Sequence, residues 1–238
     1  MPAASPTTLL SVITPSIGTR PRALAQAVAS VEAAVEHARI HAGLDPAQVE
    51  MLVGFDGVDA ERPASGLANL RFVVLPRPGD VTSGFGNHIR DALMRAAKGR
   101  HLLFLDDDNA LTENALASFL PHLGHDFIIG RIDTSRAFDV PFLPRPAPQG
   151  CDPALDAIRQ GNIDPLCLCL ARELAVVRGR GWADEGGYES DFLNIRRYFR
   201  RARGVLRIAD VVGVYDAGRG LDPDGRNERQ KRAENLGG

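Results

Sequence analysis

The pattern of apolar and polar positions is dominated by one run that ends in acid. Leu102-Leu103-Phe104-Leu105 leads straight into Asp106-Asp107-Asp108-Asn109. A continuous apolar run of this kind, preceded by Gly99-Arg100, predicts a strand buried on both faces of a mostly parallel sheet. Similar runs predict strands over residues 9–14, stopped by Pro15; over 49–55, ending at Asp56-Gly57; and over 70–75, closed by Pro76 and Pro78. Later runs over 127–132, 163–170 and 205–215 predict three more. Between strands the apolar period lengthens. Leu24, Val28, Val31 and Val35 predict a helix from Pro21, a residue suited to a first helical turn, to about His41, with Gly43 and Pro46 breaking it. Further helices are predicted over 87–97 and 113–123, briefly to Gly179 through Leu174, Val176 and Val177, and over 189–202 with Phe192, Ile195 and Phe199 inward. A Gly-rich loop spans 79–86, a proline-rich stretch over 138–150 has no periodicity, and the tail after Gly218 is expected to be mobile. Strands alternating with helices predict an α/β layered fold, and no internal repeat is present.

Length and composition narrow the class. The 238 residues suffice for one large α/β domain. A net charge of −2 with pI near 6.3 argues against a generic nucleic-acid binder. The basic cluster Arg196-Arg197-Tyr198-Phe199-Arg200-Arg201-Ala202-Arg203 spreads around a helix and reads mainly as a solvated face. Cys151, Cys167 and Cys169 give neither a disulfide framework nor a zinc spacing, which predicts buried thiols in a reducing compartment. The N-terminus has no basic segment followed by a long apolar one, and no run approaches membrane-spanning length, so a soluble, cytoplasmic protein is expected.

Three Asp side chains at one strand end repel one another unless a cation lies among them, and hard oxygen ligands suit Mg²⁺ or Mn²⁺. The same residues also read as a solvated acidic turn capping the next helix through Asn109 or Thr112.

In this order the chain resembles the family-2 glycosyltransferases, inverting sugar-nucleotide enzymes of GT-A fold, from about Leu10 to Tyr215. Four places carry the resemblance: Ser11-Val12-Ile13-Thr14-Pro15; Asp56-Gly57; Arg90-Asp91 with Ala97-Lys98-Gly99 and Phe104-Leu105-Asp106-Asp107-Asp108; and Gly181-Trp182-Ala183-Asp184-Glu185 with Glu189-Ser190-Asp191-Phe192-Leu193. The resemblance implies a single GT-A-type α/β domain, a mixed, mostly parallel sheet flanked by helices. Residues 9–125 would form the nucleotide-sugar half, 126–216 the acceptor half and 217–238 a flexible tail. It further implies a metal-dependent transfer from a nucleoside-diphosphate sugar, a UDP-sugar favoured, to an acceptor hydroxyl, with Mn²⁺ or Mg²⁺ as cofactor. Asp108 would hold the metal and Asp106 face the ribose, with Asp107 sharing either task. Asp56 would bind the base, Thr14 and Pro15 would lie under the nucleotide through their backbone, and Arg90 would meet diphosphate or base. Asp191, or Glu189 in its place, would take the acceptor proton while the other positions the acceptor. Trp182 would stack on an acceptor sugar or pack in the core, and the 138–150 stretch would wall the acceptor site.

Departures from the family pattern are visible. The turn over 16–20 lacks an aromatic–Asn pair, Phe55 stands where an aspartate is frequent, and Ser190 separates Glu189 from Asp191. No histidine follows His125, so Asp216, or diphosphate oxygens and water, would have to complete a metal site. Other readings are a non-catalytic nucleotide-sugar or partner-binding module of the same fold, and a sugar nucleotidyltransferase. The latter is disfavoured because Gly18-Thr19-Arg20-Pro21 lacks the several glycines and following lysine of such phosphate loops. A dehalogenase-type phosphatase would carry its Asp-x-Asp near the N-terminus rather than mid-chain.

Overall fold

A computed structural model describes residues 7–76, 86–185 and 187–225. The greater part of the Gly-rich loop and the end of the expected flexible tail lie outside these residues. Among the described residues nine strands form one sheet: β1 (Leu10–Ser16), β2 (Val49–Asp56), β3 (Leu70–Leu75), β4 (His101–Phe104), β5 (Ala110–Leu111), β6 (Phe127–Asp133), β7 (Phe142–Leu143), β8 (Leu168–Ala171) and β9 (Val205–Val214). The helices are α1 (Pro21–Ala42), α2 (Asn87–Ala96), α3 (Ala115–Phe119), α4 (Pro153–Ala157) and α5 (Ser190–Phe199).

Along the sheet the order is β3-β2-β1-β4-β8-β6-β9-β5, with β7 paired to β6. The first four are parallel; β8 then runs antiparallel to both β4 and β6, β9 is parallel to β6, and β5 closes the far edge antiparallel to β9. β1, β2 and β4 are buried almost throughout, as their unbroken apolar runs require, whereas β3 at the edge alternates between half-buried and exposed residues. α1 buries Leu24, Val28, Val31 and Val35 together with Ala23, Ala27, Ala34 and Ala38, and ends where Gly43, at φ 67°, returns its N–H to the Ala38 carbonyl. No helix among the described residues is long and apolar enough to cross a membrane.

Several boundaries differ from the sequence expectation. Pro15 does not stop β1: the strand continues to Ser16, with Pro15 opposite Gly54 of β2. The Ile13 carbonyl accepts from Leu105 on the β4 side. Two residues on, Pro15 faces that same side, where β4 has already ended, so its missing N–H costs no ladder bond. The helix over 113–123 shrinks to α3 plus a 3₁₀ turn at Leu120–His122, because Pro121 cannot continue an α-helix. The strand over 163–170 begins instead as a 3₁₀ turn, Pro165–Cys167, capped by the Asp164 carboxylate on the Leu166 N–H. Cys167 and Cys169 are free and buried, whereas Cys151 is exposed. The 174–179 helix is a π-turn at Glu173–Arg178, and α5 ends at Phe199, short of residue 202. The short elements β5, β7 and α4 have too few residues to show a period in the sequence.

A polar tie joins the parallel strands. Ser11 Oγ donates to the buried Glu50 carboxylate at 2.6 Å, the Lys98 N–H donates to the same oxygen at 2.6 Å, and Arg71 pairs with Glu50's other oxygen. Burial raises the Glu50 carboxyl, but these donors outweigh it and leave the group below its ordinary value. Gly99 donates to Ser11 Oγ at 2.9 Å, and a Cβ on it would lie 2.6 Å from the Ser11 nitrogen and 2.7 Å from the Leu10 carbonyl carbon. Strand backbone cannot give way. Gly99→Ala is therefore expected to lower stability by about 1–3 kcal/mol, at roughly 2–4 °C of melting temperature per kcal/mol. An unchanged thermal melt would show that the β4 entry is looser than its geometry implies.

Candidate functional site

β1 leads through α1 to β2 on one flank, whereas β3 leads through α2 to β4 on the other flank of β1. The chain reverses direction across the sheet there, and the carboxyl ends of β1 and β4 open the crevice where α/β folds bind ligands. The residues that follow the two strands, Ser16 to Arg20 and Asp106 to Asp108, meet in it.

Arg20, immediately before α1, reaches across this crevice. Its guanidinium lies 2.5 Å from Asp107 Oδ1 and pairs also with Asp108. Asp107 is fully buried and accepts from Ser16 Oγ at 2.5 Å. Burial, outweighing Arg20, pushes the Asp107 carboxyl up to about 7, with Asp108 and Asp106 adding repulsion. Asp107 Oδ1 has the ion pair but no aligned hydrogen-bond donor, and Arg20 Nε has no acceptor. The expected metal ligand Asp108 and its neighbour Asp107 thus converge on one cation, supplied here by the chain itself. Two hard carboxylates around a stand-in cation are a donor set that fits Mg²⁺ or Mn²⁺. Among the described residues no group of three His, Cys, Asp or Glu is arranged to hold a metal, so other oxygens would have to complete its shell. Asp216, the alternative third ligand, is buried at φ 58°, and its N–H donates to Asn109 Oδ1 at 2.7 Å.

Asp106 belongs to a second ion cluster. Arg90, on α2 and buried, donates to Asp106 Oδ1 at 2.6 Å and contacts Asp191 Oδ1 at 3.3 Å. Its guanidinium sits 4.7 Å from the Trp182 ring centroid. Burial disfavours the Arg90 charge, but Asp106 and Asp191 prevail and hold its pKa above the ordinary value. Arg90 thus links the expected ribose residue to the expected base. Trp182 is a core residue: its ring is buried against Phe104 and Tyr198, and its Nε1 donates to Asn87 Oδ1 at 2.9 Å. It lies beneath the Arg90 guanidinium.

The loop that brings Trp182 and Asp191 together is fastened from both sides. From α2, Asp91 Oδ1 accepts the Trp182 N–H at 2.8 Å, and Asn87 Nδ2 donates to Asp184 at 2.8 Å. From α5, Asn194 brackets Ala183 by accepting its N–H and donating to its carbonyl, both at 2.9 Å. Tyr198 Oη donates to the Gly181 carbonyl at 2.7 Å. Gly181, at φ 80°, lies so close to Asp91 that a Cβ would stand 2.1 Å from the carboxylate.

Glu189, Ser190 and Asp191 open onto a cavity of about 500 Å³ whose other walls include Phe138, Val140 and Leu143 from the irregular stretch, with Gln160, Asp164 and Tyr215. Glu189 precedes α5 but makes no side-chain cap; its carboxylate accepts from Gln160 Nε2 at 2.7 Å. Burial raises the Asp191 carboxyl above its ordinary value against the pull of Arg90, with Asp106 adding to the rise. Asp164, whose carboxylate caps the Pro165 turn, is a further acid of this cavity, which Asp139 also lines. Burial first, then the charges of Asp106 and Asp191, push its carboxyl up to about 8.

The remaining expected residues lie around the β1–β2 end of the crevice. Asp56 finishes β2 with His88 Nε2 3.2 Å from its Oδ1. Thr14 is buried in β1 with its Oγ1 unpartnered, and Pro15 follows it. Sequence reading missed Ser16, Arg20, His88 and Asp164. The pair Asp164-Pro165 was a legible turn signal; the others show no pattern before the fold brings them together.

Neither a family model nor a curated protein matches the sequence. Solved structures match the fold. The crystal structure of S. aureus TarS 1–349 superposes with a TM-score of 0.64 at 15% identity, over 87% of this chain and 60% of that one. TarS 1–349 in complex with UDP-GlcNAc gives 0.65 at 16% identity, over 87% and 58%. A longer S. aureus TarS structure gives 0.65 at 16%, over 87% and 36%. This chain spans about 60% of the length of TarS 1–349. The likeness shows the fold: a mixed, mostly parallel α/β sheet of GT-A type.

Asp164 makes a pH dependence measurable. Its folded value of about 8 stands above the ordinary 3.8, so the folded form keeps a proton that the unfolded chain has lost. The resulting stability is full below about pH 4 and is lost as pH rises through about 8. Asp107 and Asp191 act in the same direction. The urea midpoint of the wild type should therefore fall more steeply over this window than that of Asp164→Asn. Parallel profiles would mean that Asp164 ionises as it does in water.

Proposed function

We propose that this chain is an inverting glycosyltransferase that moves a sugar from a nucleoside diphosphate, a UDP-sugar favoured, to an acceptor hydroxyl. The observation that carries this reading is the Asp106–Arg90–Asp191 bridge, which joins the acid-lined crevice at the β1–β4 switch point to the cavity behind it. A donor in the crevice and an acceptor in the cavity would meet across Arg90. The GT-A-type fold, which TarS also shows with UDP and with UDP-GlcNAc bound, supports the same choice of donor.

In this reading Asp56 accepts from the base, the β1 end carries the nucleotide, and Asp106 faces the ribose. Asp107 and Asp108 would hold Mn²⁺ or Mg²⁺, which when bound supplies positive charge against the departing diphosphate. The acceptor hydroxyl attacks the anomeric carbon from the face opposite the diphosphate, and inversion follows from that single displacement. Asp191 takes the proton: burial raises its basicity while Arg90 keeps it oriented. Glu189, steadied by Gln160, positions the acceptor, and the two acids exchange roles in the alternative assignment. Asp164, protonated until about pH 8, is a hydrogen-bond donor to an acceptor oxygen.

The test separates binding from transfer. A nucleoside diphosphate at 100 times its Kd should add about 2.7 kcal/mol of stability. Asp108→Ala should lose that stabilisation. Asp191→Asn should keep it and lose transfer by roughly 10²–10⁴-fold. Absence of any nucleotide effect, with or without Mn²⁺, refutes the reading. Stabilisation by UDP without turnover on any donor–acceptor pair would instead favour a nucleotide-sugar-binding module.

A further inference from the structure

We propose that Arg20 is an exchangeable counter-ion: a divalent cation arriving with the donor displaces its guanidinium from Asp107 and Asp108, and the released guanidinium binds the donor diphosphate. This rests on the sugar-nucleotide reading of the crevice.

Three observations carry the inference. First, the Arg20 side chain has no part in holding its own helix. It occupies the N-cap position of α1 without a side-chain cap; the first-turn donors are instead taken by Asp222, whose carboxylate accepts from Arg22 at 3.2 Å and Ala23 at 2.8 Å. Releasing the Arg20 side chain therefore leaves the helix start intact. Second, the pairing is incomplete on both sides. Asp107 Oδ1 is buried with no aligned donor, and Arg20 Nε is buried with no acceptor. Groups left in this state lose hydration without regaining a full hydrogen-bond set. A hard cation satisfies the carboxylate oxygens at any angle, and a diphosphate gives the planar guanidinium the bidentate partner that Asp107 does not. Third, Asp106 is held by Arg90, and Asp107 and Asp108 share the Arg20 guanidinium, so expelling Arg20 with nowhere to go is electrostatically unfavourable. Cation and diphosphate should consequently bind cooperatively, each making room for the other.

The experiment is a Mn²⁺ titration of the full chain, read by the free-Mn²⁺ EPR signal, alone and with saturating UDP or uridine. It uses wild type, Arg20→Ala and Arg20→Gln, the last keeping length and polarity without charge; thermal melts confirm folding. Wild type should bind Mn²⁺ weakly alone and at least tenfold more tightly with UDP, but not with uridine. Arg20→Ala and Arg20→Gln should bind Mn²⁺ alone at least tenfold more tightly than wild type, gain little from UDP, and bind UDP more weakly. Equal or weaker Mn²⁺ affinity in both variants would overturn the exchange and leave Arg20 a fixed structural cation. So would Mn²⁺ binding by none of the three proteins. UDP binding measured in EDTA separates that failure from failure of the sugar-nucleotide reading, because a crevice that takes UDP without metal keeps the second and loses only the first.

Discussion

Three consecutive carboxylates at the end of a buried strand are the constraint that organises this molecule. Like charges so close, with one of them fully out of water, are tolerated only when cations from elsewhere in the chain are brought to them. Two arginines do this, and each fixes an element. Arg20 draws the start of α1 over Asp107 and Asp108; Arg90 draws α2 to Asp106 and, through Asp191, fixes α5 as well. The ion pairs are weak evidence of stability in themselves, since desolvation consumes much of their attraction. Their effect is on register: they set which residues of four separate segments share one crevice.

Support for that crevice comes from groups that never reach it. Arg90 lies on the Trp182 ring, and Trp182 is held by Asn87 and Asp91 on one side and packs against Tyr198 on the other. Asn194 pairs with Ala183 almost as a neighbouring strand would. At the start of this loop the N–H groups of Gly181, Trp182 and Ala183 each find an acceptor, in the Ala175 carbonyl, Asp91 and Asn194. Asp191 itself sits in the first turn of α5, which is tied to α2 through Ser190 with Asn87 and through Asp191 with Arg90.

The parallel part of the fold was legible because a strand buried on both faces has no choice but to be apolar throughout; the sequence limits of β3 coincide with the structural ones, and those of α1 and β2 lie within a residue. Beyond residue 110 the strands are short, antiparallel and interrupted, and periodicity fails. Asp164-Pro165 initiates a turn inside what reads as one apolar run, and Pro121 cuts a helix that composition alone would extend. In the site, the acids were legible as a motif because they are contiguous or nearly so. Arg20 was not, because it lies 88 residues from Asp108; Arg90 was legible as a diphosphate or base contact, but its pairing with Asp191, 101 residues away, was not. Trp182 shows the limit in the other direction: stacking on a sugar and packing in a core draw on the same aromatic surface, and only burial separates them.

A chain at 15–16% identity to TarS shares its fold although neither a family model nor a curated protein matches it. The crevice is made by topology. It exists because the chain passes from β1 to β2 on one flank and from β3 to β4 on the other flank of β1, which requires only right-handed crossovers between buried strands. Apolar residues there are interchangeable so long as volume and pattern are kept, so sequence drifts while the sheet does not. The polar side chains at strand ends are few and scattered, and the sheet does not fix which they are. Fold likeness therefore carries the place of a site further than sequence does, and the identity of its chemistry has to be read from the side chains that occupy it.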